Sequence, residues 1–115
     1  MIGQCYILDE NKNLVPVDSL TWAKWFETAD RVVKSDYLTI SVAGPQVHVS
    51  TVFLGLDHQY GDGPPLLFET MIFNGREDGY QDRYSTYQEA LIGHEKALQL
   101  AKLNSPTSAS SQRGE

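Results

Sequence analysis

The chain has 115 residues, of which 41% are hydrophobic and 21% are charged, an ordinary balance for one globular domain. Its formal net charge of −6 disfavours general binding to nucleic acid, so an anionic ligand would require a local cluster of cationic side chains. The single cysteine, Cys5, excludes an internal disulfide and a multi-cysteine zinc site. The sequence shows neither a signal-peptide pattern nor an apolar run of membrane-spanning length, so we expect a cytoplasmic protein.

The first part of the chain predicts two short strands followed by an amphipathic helix. Apolar runs at Gln4–Leu8 and Leu14–Val17 flank a polar turn, which is typical of a hairpin. Asp18 is a suitable N-cap for the helix that follows. That helix carries an apolar stripe at helical spacing, formed by Trp22, Trp25, Phe26 and Ala29. We expect both tryptophans to be core residues, with a pocket lining or a subunit contact as the alternative for one of them.

The middle of the chain predicts neighbouring antiparallel strands. Tyr37–Val42 and Val47–Leu56 are β-prone segments separated by a Gly-Pro reversal, so we expect them to form a hairpin. Arg31–Lys34 is also β-prone, and Ser35-Asp36 is predicted to be a turn or a bulge before the hairpin. Leu66–Phe73 predicts a further strand after a long polar loop.

The last part of the chain predicts a loop, a helix and a tail. Asn74–Arg83 is rich in glycine and charge and is predicted to be a loop. Ser85 is the predicted N-cap of the last helix, with Gln88 completing a capping box. The apolar stripe of this helix consists of Tyr87, Ala90, Leu91, His94, Leu98 and Ala101. Because residues 104–115 are small, polar and rich in serine, we expect a disordered tail and a single domain at 1–103.

The order of these elements predicts an α+β fold: an antiparallel sheet of about five strands with two helices packed mainly on one face. The central strands are apolar on both faces, whereas two helices can cover only one face well. The second face therefore requires another partner, and we expect a homo-oligomer, most simply a two-fold dimer.

One carboxylate in the central strands requires a partner. Glu69 lies between Leu67 and Met71 on one face of its predicted strand, where an unpaired charge is costly to bury. We expect it to contact His58, an arginine or a ligand. The alternative is an edge strand on which Glu69 faces water.

A candidate ligand site is predicted at the end of the central sheet, closed by the last loop and helix. Its residues combine both signs of charge, two imidazoles and flat rings, which suits a small polar ligand with phosphates and a base. The predicted site residues are Asp57, His58, Tyr60, Glu69, Arg83, Tyr84 and His94. The alternative is a satisfied polar network that holds no ligand, and for His94 a core histidine hydrogen-bonded to backbone.

The sequence contains no recognised catalytic, metal-binding or phosphate-loop motif. It lacks a His-Glu-x-x-His pattern, a calcium loop, a Gly-x-Ser-x-Gly elbow and a glycine-rich phosphate loop. An acid–base pair of His58 and Glu69 is chemically possible because both flank one loop. We nevertheless expect a binding protein without catalytic activity, metal or cofactor.

Two segments carry a resemblance to a protein family. VSTVFLGLDHQYGDGPPLLFETMIF (Val49–Phe73) and RYSTYQEALIGHEKAL (Arg83–Leu98) resemble a family of small uncharacterised proteins of bacteriophages and prophages, with a weaker similarity at Leu20–Phe26. The resemblance implies a phage gene product in the host cytoplasm and assigns no role to individual residues.

By analogy with other small acidic phage proteins, the resemblance favours action against host defence by sequestering a small nucleotide signal. Direct binding to a host defence protein is the alternative. A structural or housekeeping role in the phage is a third.

Overall fold

The computed structural model describes residues 4–39, 43–57 and 63–103, and it shows the predicted α+β class. A two-stranded sheet lies beside a four-stranded antiparallel sheet with the strand order β3-β4-β5-β6. The elements are β1 (Cys5–Leu8), β2 (Leu14–Val17), α1 (Ser19–Thr28), β3 (Val32–Leu38), β4 (Val47–Phe53), β5 (Phe68–Phe73), β6 (Gln81–Tyr84) and α2 (Tyr87–Leu103). Among these residues no helix combines the length and the apolar character that crossing a membrane requires.

The strand count and the sheet division differ from the prediction. The described residues form six strands in two sheets, rather than about five strands in one. The additional strand is β6, which lies in the segment predicted as a loop. Its sequence, Gln-Asp-Arg-Tyr, has no apolar alternation because β6 is a short edge strand with polar side chains. The predicted tail at 104–115 and residues 40–42 of the predicted hairpin lie outside the described residues.

A bulge near the start of β3 determines which side chains lie beneath α2. Val32 pairs with Val52 and Lys34 pairs with Thr51, so Val33 is the extra residue. β3 is therefore one strand with a bulge at its start, whereas the sequence predicts a turn or bulge at Ser35-Asp36. One inserted residue moves each following side chain of the strand to the opposite face of the sheet.

The buried face of the four-stranded sheet packs against α2. Side chains of β4 alternate between buried and half-buried positions, as the period-two pattern predicts. The buried positions of β4 and β5 are Val47, Val49, Thr51, Phe53, Phe68, Thr70 and Ile72. The facing residues of α2 are mostly small: Ala90, Gly93, His94, Ala97, Leu98 and Ala101. Small side chains allow a helix to lie close to a sheet, so α2 is held tightly against β4 and β5.

α1 packs at one end of the main sheet. It begins as predicted, because the Asp18 carboxylate accepts the amide hydrogen of Thr21 over 2.7 Å. The Trp25 ring meets Phe53 edge to face with 5.6 Å between centroids. No residue of α1 is fully buried. Trp22 and Trp25 therefore form the margin of the core rather than its centre.

The cap of α2 lies one residue later than predicted. The Thr86 hydroxyl accepts the Glu89 amide over 3.0 Å, and the Glu89 carboxylate accepts the amides of Ser85 and Thr86. This is a capping box built by Thr86 and Glu89 rather than by Ser85 and Gln88. The charged Glu89 is the better partner because it also interacts favourably with the positive end of the helix dipole.

Candidate functional site

A row of polar side chains crosses the buried face of the main sheet beneath α2. His94, fully buried, lies at its centre: Nδ1 is 2.7 Å from Thr51 Oγ1, and Nε2 is 2.7 Å from Asp36 Oδ2. Thr51 Oγ1 lies 2.5 Å from Thr70 Oγ1 on the next strand. Because an ionised carboxylate only accepts hydrogen bonds, the His94 Nε2 hydrogen points to Asp36 and Nδ1 faces the Thr51 hydroxyl. His94 is thus a core histidine whose partners are side chains rather than backbone groups.

A hydroxyl, an imidazole and a carboxylate in this order are the groups of a hydrolase triad. Here Thr51 and His94 are both fully buried, and the Thr51 hydroxyl also contacts Thr70. No substrate carbonyl can approach that hydroxyl. Since the polar groups along the row satisfy one another, we interpret it as a structural network that fixes α2 on the sheet.

Tyr84 lies beyond the Thr70 end of this row. Its hydroxyl is buried and forms no hydrogen bond of good geometry with the described residues. Burial raises the pKa of the Tyr84 phenol above its ordinary value, Asp82 adds to the rise, and the nearby Thr70 hydroxyl opposes it. The ring packs on Gly93, where an added Cβ would lie 2.1 Å from a ring carbon.

The raised pKa predicts an alkaline dependence of stability on pH. A phenol that stays protonated in the folded state contributes stability that is present below the unfolded pKa and is lost as pH rises through the folded pKa. The free energy of unfolding is measured for the wild type and for Tyr84→Phe between about pH 8 and 11. Above about pH 10, the wild type should lose up to about 1.4 kcal/mol of stability per pH unit more than Tyr84→Phe. Urea unfolding of both proteins measures the difference, and Tyr80, present in both, cancels. Parallel pH profiles would contradict the prediction.

A groove of about 390 Å³ lies between β6 and the first half of α2. Its apolar lining comes from Leu66, Ile92 and Gly93, and its polar lining from Asp82, Arg83, Tyr84, Ser85, Glu89 and Lys96. Glu89 is engaged in the helix cap. Lys96 is exposed and forms no ion pair within the described residues, so its ammonium group is available to an anion.

The predicted site residues are distributed over both faces of the main sheet. Glu69 and Arg83 form an ion pair on the face opposite α2, with 3.0 Å between Arg83 Nε and Glu69 Oε2. Gln81 also donates to Glu69. Glu69 therefore has an arginine partner on a central strand, one of the partners expected from the sequence. By contrast, Tyr84 and His94 are buried between α2 and the sheet.

The remaining predicted residues lie in or near the loop after β4. Asp57 Oδ1 accepts the Leu66 amide over 3.1 Å, so this carboxylate connects the two ends of the loop. His58 and Tyr60 lie outside the described residues. Arg83 and Tyr84 are the two predicted site residues that line the groove.

Three stacked rings form a row on the face opposite α2. None of them belongs to a predicted site residue. Tyr37 and His48 stack with 4.2 Å between centroids and 7° between planes, and His48 lies 5.7 Å from Phe73. Ser35 Oγ is 2.8 Å from His48 Nε2. The three rings occupy paired positions on β3, β4 and β5. The sequence does not show this row directly, because the row depends on which residues of neighbouring strands are paired.

The described residues contain no group of three or more His, Cys, Asp or Glu side chains placed to hold a metal ion. A second groove, of about 580 Å³, lies along the exposed side of α2 and is lined by Leu91, Ile92, Glu95, Lys96 and Gln99. In comparisons with family models, with curated proteins and with solved structures, no significant match to this chain is found.

Proposed function

We propose that this protein is a non-enzymatic binding protein that holds a small nucleotide-type ligand in the groove between β6 and α2. The observation that carries the proposal is the meeting of Lys96, Ser85 and Asp82 with apolar side chains at one concave surface of about 390 Å³. This volume lies within the range of small-molecule sites, which begins at about 300 Å³.

The chemistry of the groove favours a ligand with a phosphate and a polar ring system. The Lys96 ammonium group can neutralise a phosphate, and the Ser85 hydroxyl can donate to it. Asp82 can accept hydrogen bonds from sugar hydroxyls or an exocyclic amine. Leu66 and Ile92 provide apolar contact for the flat faces of a base.

A binding role is favoured over catalysis by the burial of the polar row. The one hydroxyl, imidazole and carboxylate arrangement identified in the described chain, at Thr51, His94 and Asp36, is closed to substrate. The resemblance to phage proteins supports a counter-defence role in the host cytoplasm, in which a nucleotide signal is sequestered and released intact on denaturation. Direct binding to a host defence protein is the next candidate if no nucleotide binds.

Calorimetry and thermal shift against cyclic mononucleotides, cyclic oligonucleotides and ADP-ribose test the proposal. A ligand at a hundredfold excess over its dissociation constant should add about 2.7 kcal/mol of stability, a melting shift on the order of 10 °C. Lys96→Ala should weaken binding by about 10- to 100-fold, because a hydrogen bond to a charged group is lost. Lys102→Ala is the matched control, since Lys102 is exposed on the same helix and does not line the groove.

Two results would contradict the proposal that the groove binds a nucleotide. The first is the absence of any melting shift or heat of binding with every nucleotide in the screen. The second is binding that Lys96→Ala and Lys102→Ala weaken equally, which would show general attraction of an anion to the helix rather than a site.

A further inference from the structure

The loop between β5 and β6 begins with an asparagine that is followed by a glycine. Asn74 and Gly75 both have a positive φ, of 72° and 79°. Left-handed backbone favours glycine, and asparagine is among the side-chain-bearing residues that tolerate it best. At position 75 an added Cβ would also lie 2.7 Å from Val47 Cγ2. The shape of this turn therefore favours an Asn-Gly pair.

An Asn-Gly pair can lose the asparagine side-chain amide without an enzyme, and asparagine is one of the thermolabile residue types. The glycine backbone nitrogen attacks the asparagine Cγ, and the bond from Cγ to Nδ2 breaks. The proton of the glycine amide leaves with the nitrogen as ammonia, so that a succinimide ring remains. Water then opens the ring to aspartate or isoaspartate. Of the chain's four asparagines, Asn74 is the one that glycine follows.

The two reacting residues are accessible to water. Asn74 and Gly75 are both exposed. The Gly75 amide donates no hydrogen bond to the described residues, so no acceptor there holds the hydrogen that it must lose. Glycine also has no side chain to obstruct ring closure. Both the nucleophilic nitrogen and the water that opens the ring are thus available at this turn.

Two hydrogen bonds hold Asn74 in place. Asn74 Nδ2 donates to Gln46 O over 2.9 Å, and the Asn74 backbone amide donates to Asp78 Oδ1 over 2.6 Å. Because a carbonyl oxygen only accepts, the Asn74 atom that faces Gln46 is the nitrogen. This nitrogen is the group that the reaction expels. Ring closure brings Asn74 Cγ onto the Gly75 nitrogen, so the side chain must first leave Gln46 through a local opening of the loop.

We propose that Asn74 is a site of spontaneous deamidation and that its two hydrogen bonds, to Gln46 and Asp78, control the rate. The product has a carboxylate in place of the amide. A carboxylate cannot donate to Gln46 O, so the connection between the residue before β4 and the residue after β5 is lost. The net charge of −6 becomes more negative by one unit. The inference is independent of the groove, which Asn74 does not line.

Peptide mapping by mass spectrometry of the full chain tests the proposal, with samples taken over weeks at neutral pH and physiological temperature. In the folded chain, Asn74 should convert to aspartate and isoaspartate faster than Asn11 and Asn13, which precede Lys12 and Leu14. In guanidinium chloride, Asn74 should convert about tenfold faster or more, because the two hydrogen bonds no longer form.

Asp78→Ala tests the control of the rate in the folded chain. The substitution removes the carboxylate that accepts the Asn74 amide, so deamidation at Asn74 should accelerate toward the rate of the unfolded chain. Asp30→Ala is the matched control. Asp30 is exposed and its carboxylate also accepts a backbone amide, that of Val32 over 3.2 Å, in a different loop. Asp30→Ala should leave the rate at Asn74 unchanged. The wild-type comparison of folded and unfolded chains tests the proposal even if Asp78→Ala does not fold.

Three results would overturn the inference. The first is a folded chain in which Asn74 stays intact or converts no faster than Asn11 and Asn13. The second is conversion at equal rates in the folded and unfolded chains, since the two hydrogen bonds would then have no effect. The third is equal acceleration by Asp78→Ala and Asp30→Ala, which would indicate a general loss of stability instead of release of Asn74.

Discussion

His94→Ala is expected to lower the free energy of unfolding by about 2 to 5 kcal/mol. The substitution leaves a cavity beneath α2 and removes the imidazole that is hydrogen-bonded to Asp36 and is one of the two partners of the Thr51 hydroxyl. Thr51 is fully buried, so its hydroxyl has no water to replace the lost imidazole. Urea unfolding followed by circular dichroism measures the loss.

The neighbouring Glu95 supplies the control for His94. Glu95 forms an exposed ion pair with Lys34, 3.2 Å between Nζ and Oε2. Such surface pairs contribute about 0 to 1 kcal/mol, so Glu95→Ala should change stability little. A loss below about 1 kcal/mol in His94→Ala would show that the polar row does not hold α2 on the sheet.

Gly93→Ala should lower the stability of the wild type but raise the stability of the Tyr84→Ala variant. In the wild type the new methyl group would lie 2.1 to 2.3 Å from atoms of the Tyr84 ring, so the buried ring or the helix must shift. Overpacking of this kind costs about 1 to 3 kcal/mol. In the Tyr84→Ala background the obstacle is gone, and alanine should stabilise α2 by up to about 1 kcal/mol because it forms helix better than glycine.

A double-mutant cycle in urea measures this reversal of sign. The coupling between positions 84 and 93 isolates the steric contact, since the loss of packing in Tyr84→Ala is present in both members of the comparison. Destabilisation by Gly93→Ala of equal size in both backgrounds would mean that Tyr84 does not determine the requirement for glycine.

Local patterns were sufficient for much of the fold. The alternation in β4 predicts its buried side, and Asp18 predicts the start of α1. The apolar neighbours of Glu69 predict a partner, and an arginine is present at 3.0 Å. Each of these signals lies within a few residues of the feature that it predicts. β6 lacks such a signal because an edge strand need not bury alternate side chains.

The polar row could not be predicted in the same way. Its members come from β3, β4, β5 and α2, and 58 positions separate Asp36 from His94 in the chain. Moreover, Asp36 faces α2 only because of the bulge at Val33, since an uninterrupted strand would place it on the face opposite α2. The helical stripe that includes His94 indicates burial and contains no information about its partners.

The predicted site residues lie on two faces of the sheet because side chains alternate along a strand. Arg83 and Tyr84 are adjacent in β6, so their side chains point to opposite faces. Arg83 pairs with Glu69 on the face opposite α2, and Tyr84 packs beneath α2. The groove draws on both because it lies along the edge strand, which explains why two predicted site residues line it.

A residue-resolved NMR titration of isotope-labelled protein with ADP-ribose and with the strongest nucleotide of the thermal screen tests the binding proposal most directly. Saturable shifts at the amides of Ser85, Gly93 and Lys96 are the predicted result, because these residues line the groove on α2 and at its start. Shifts confined to Ser50 and Met71, which lie on the face of the sheet opposite α2, or no saturable shift with either nucleotide, would contradict it.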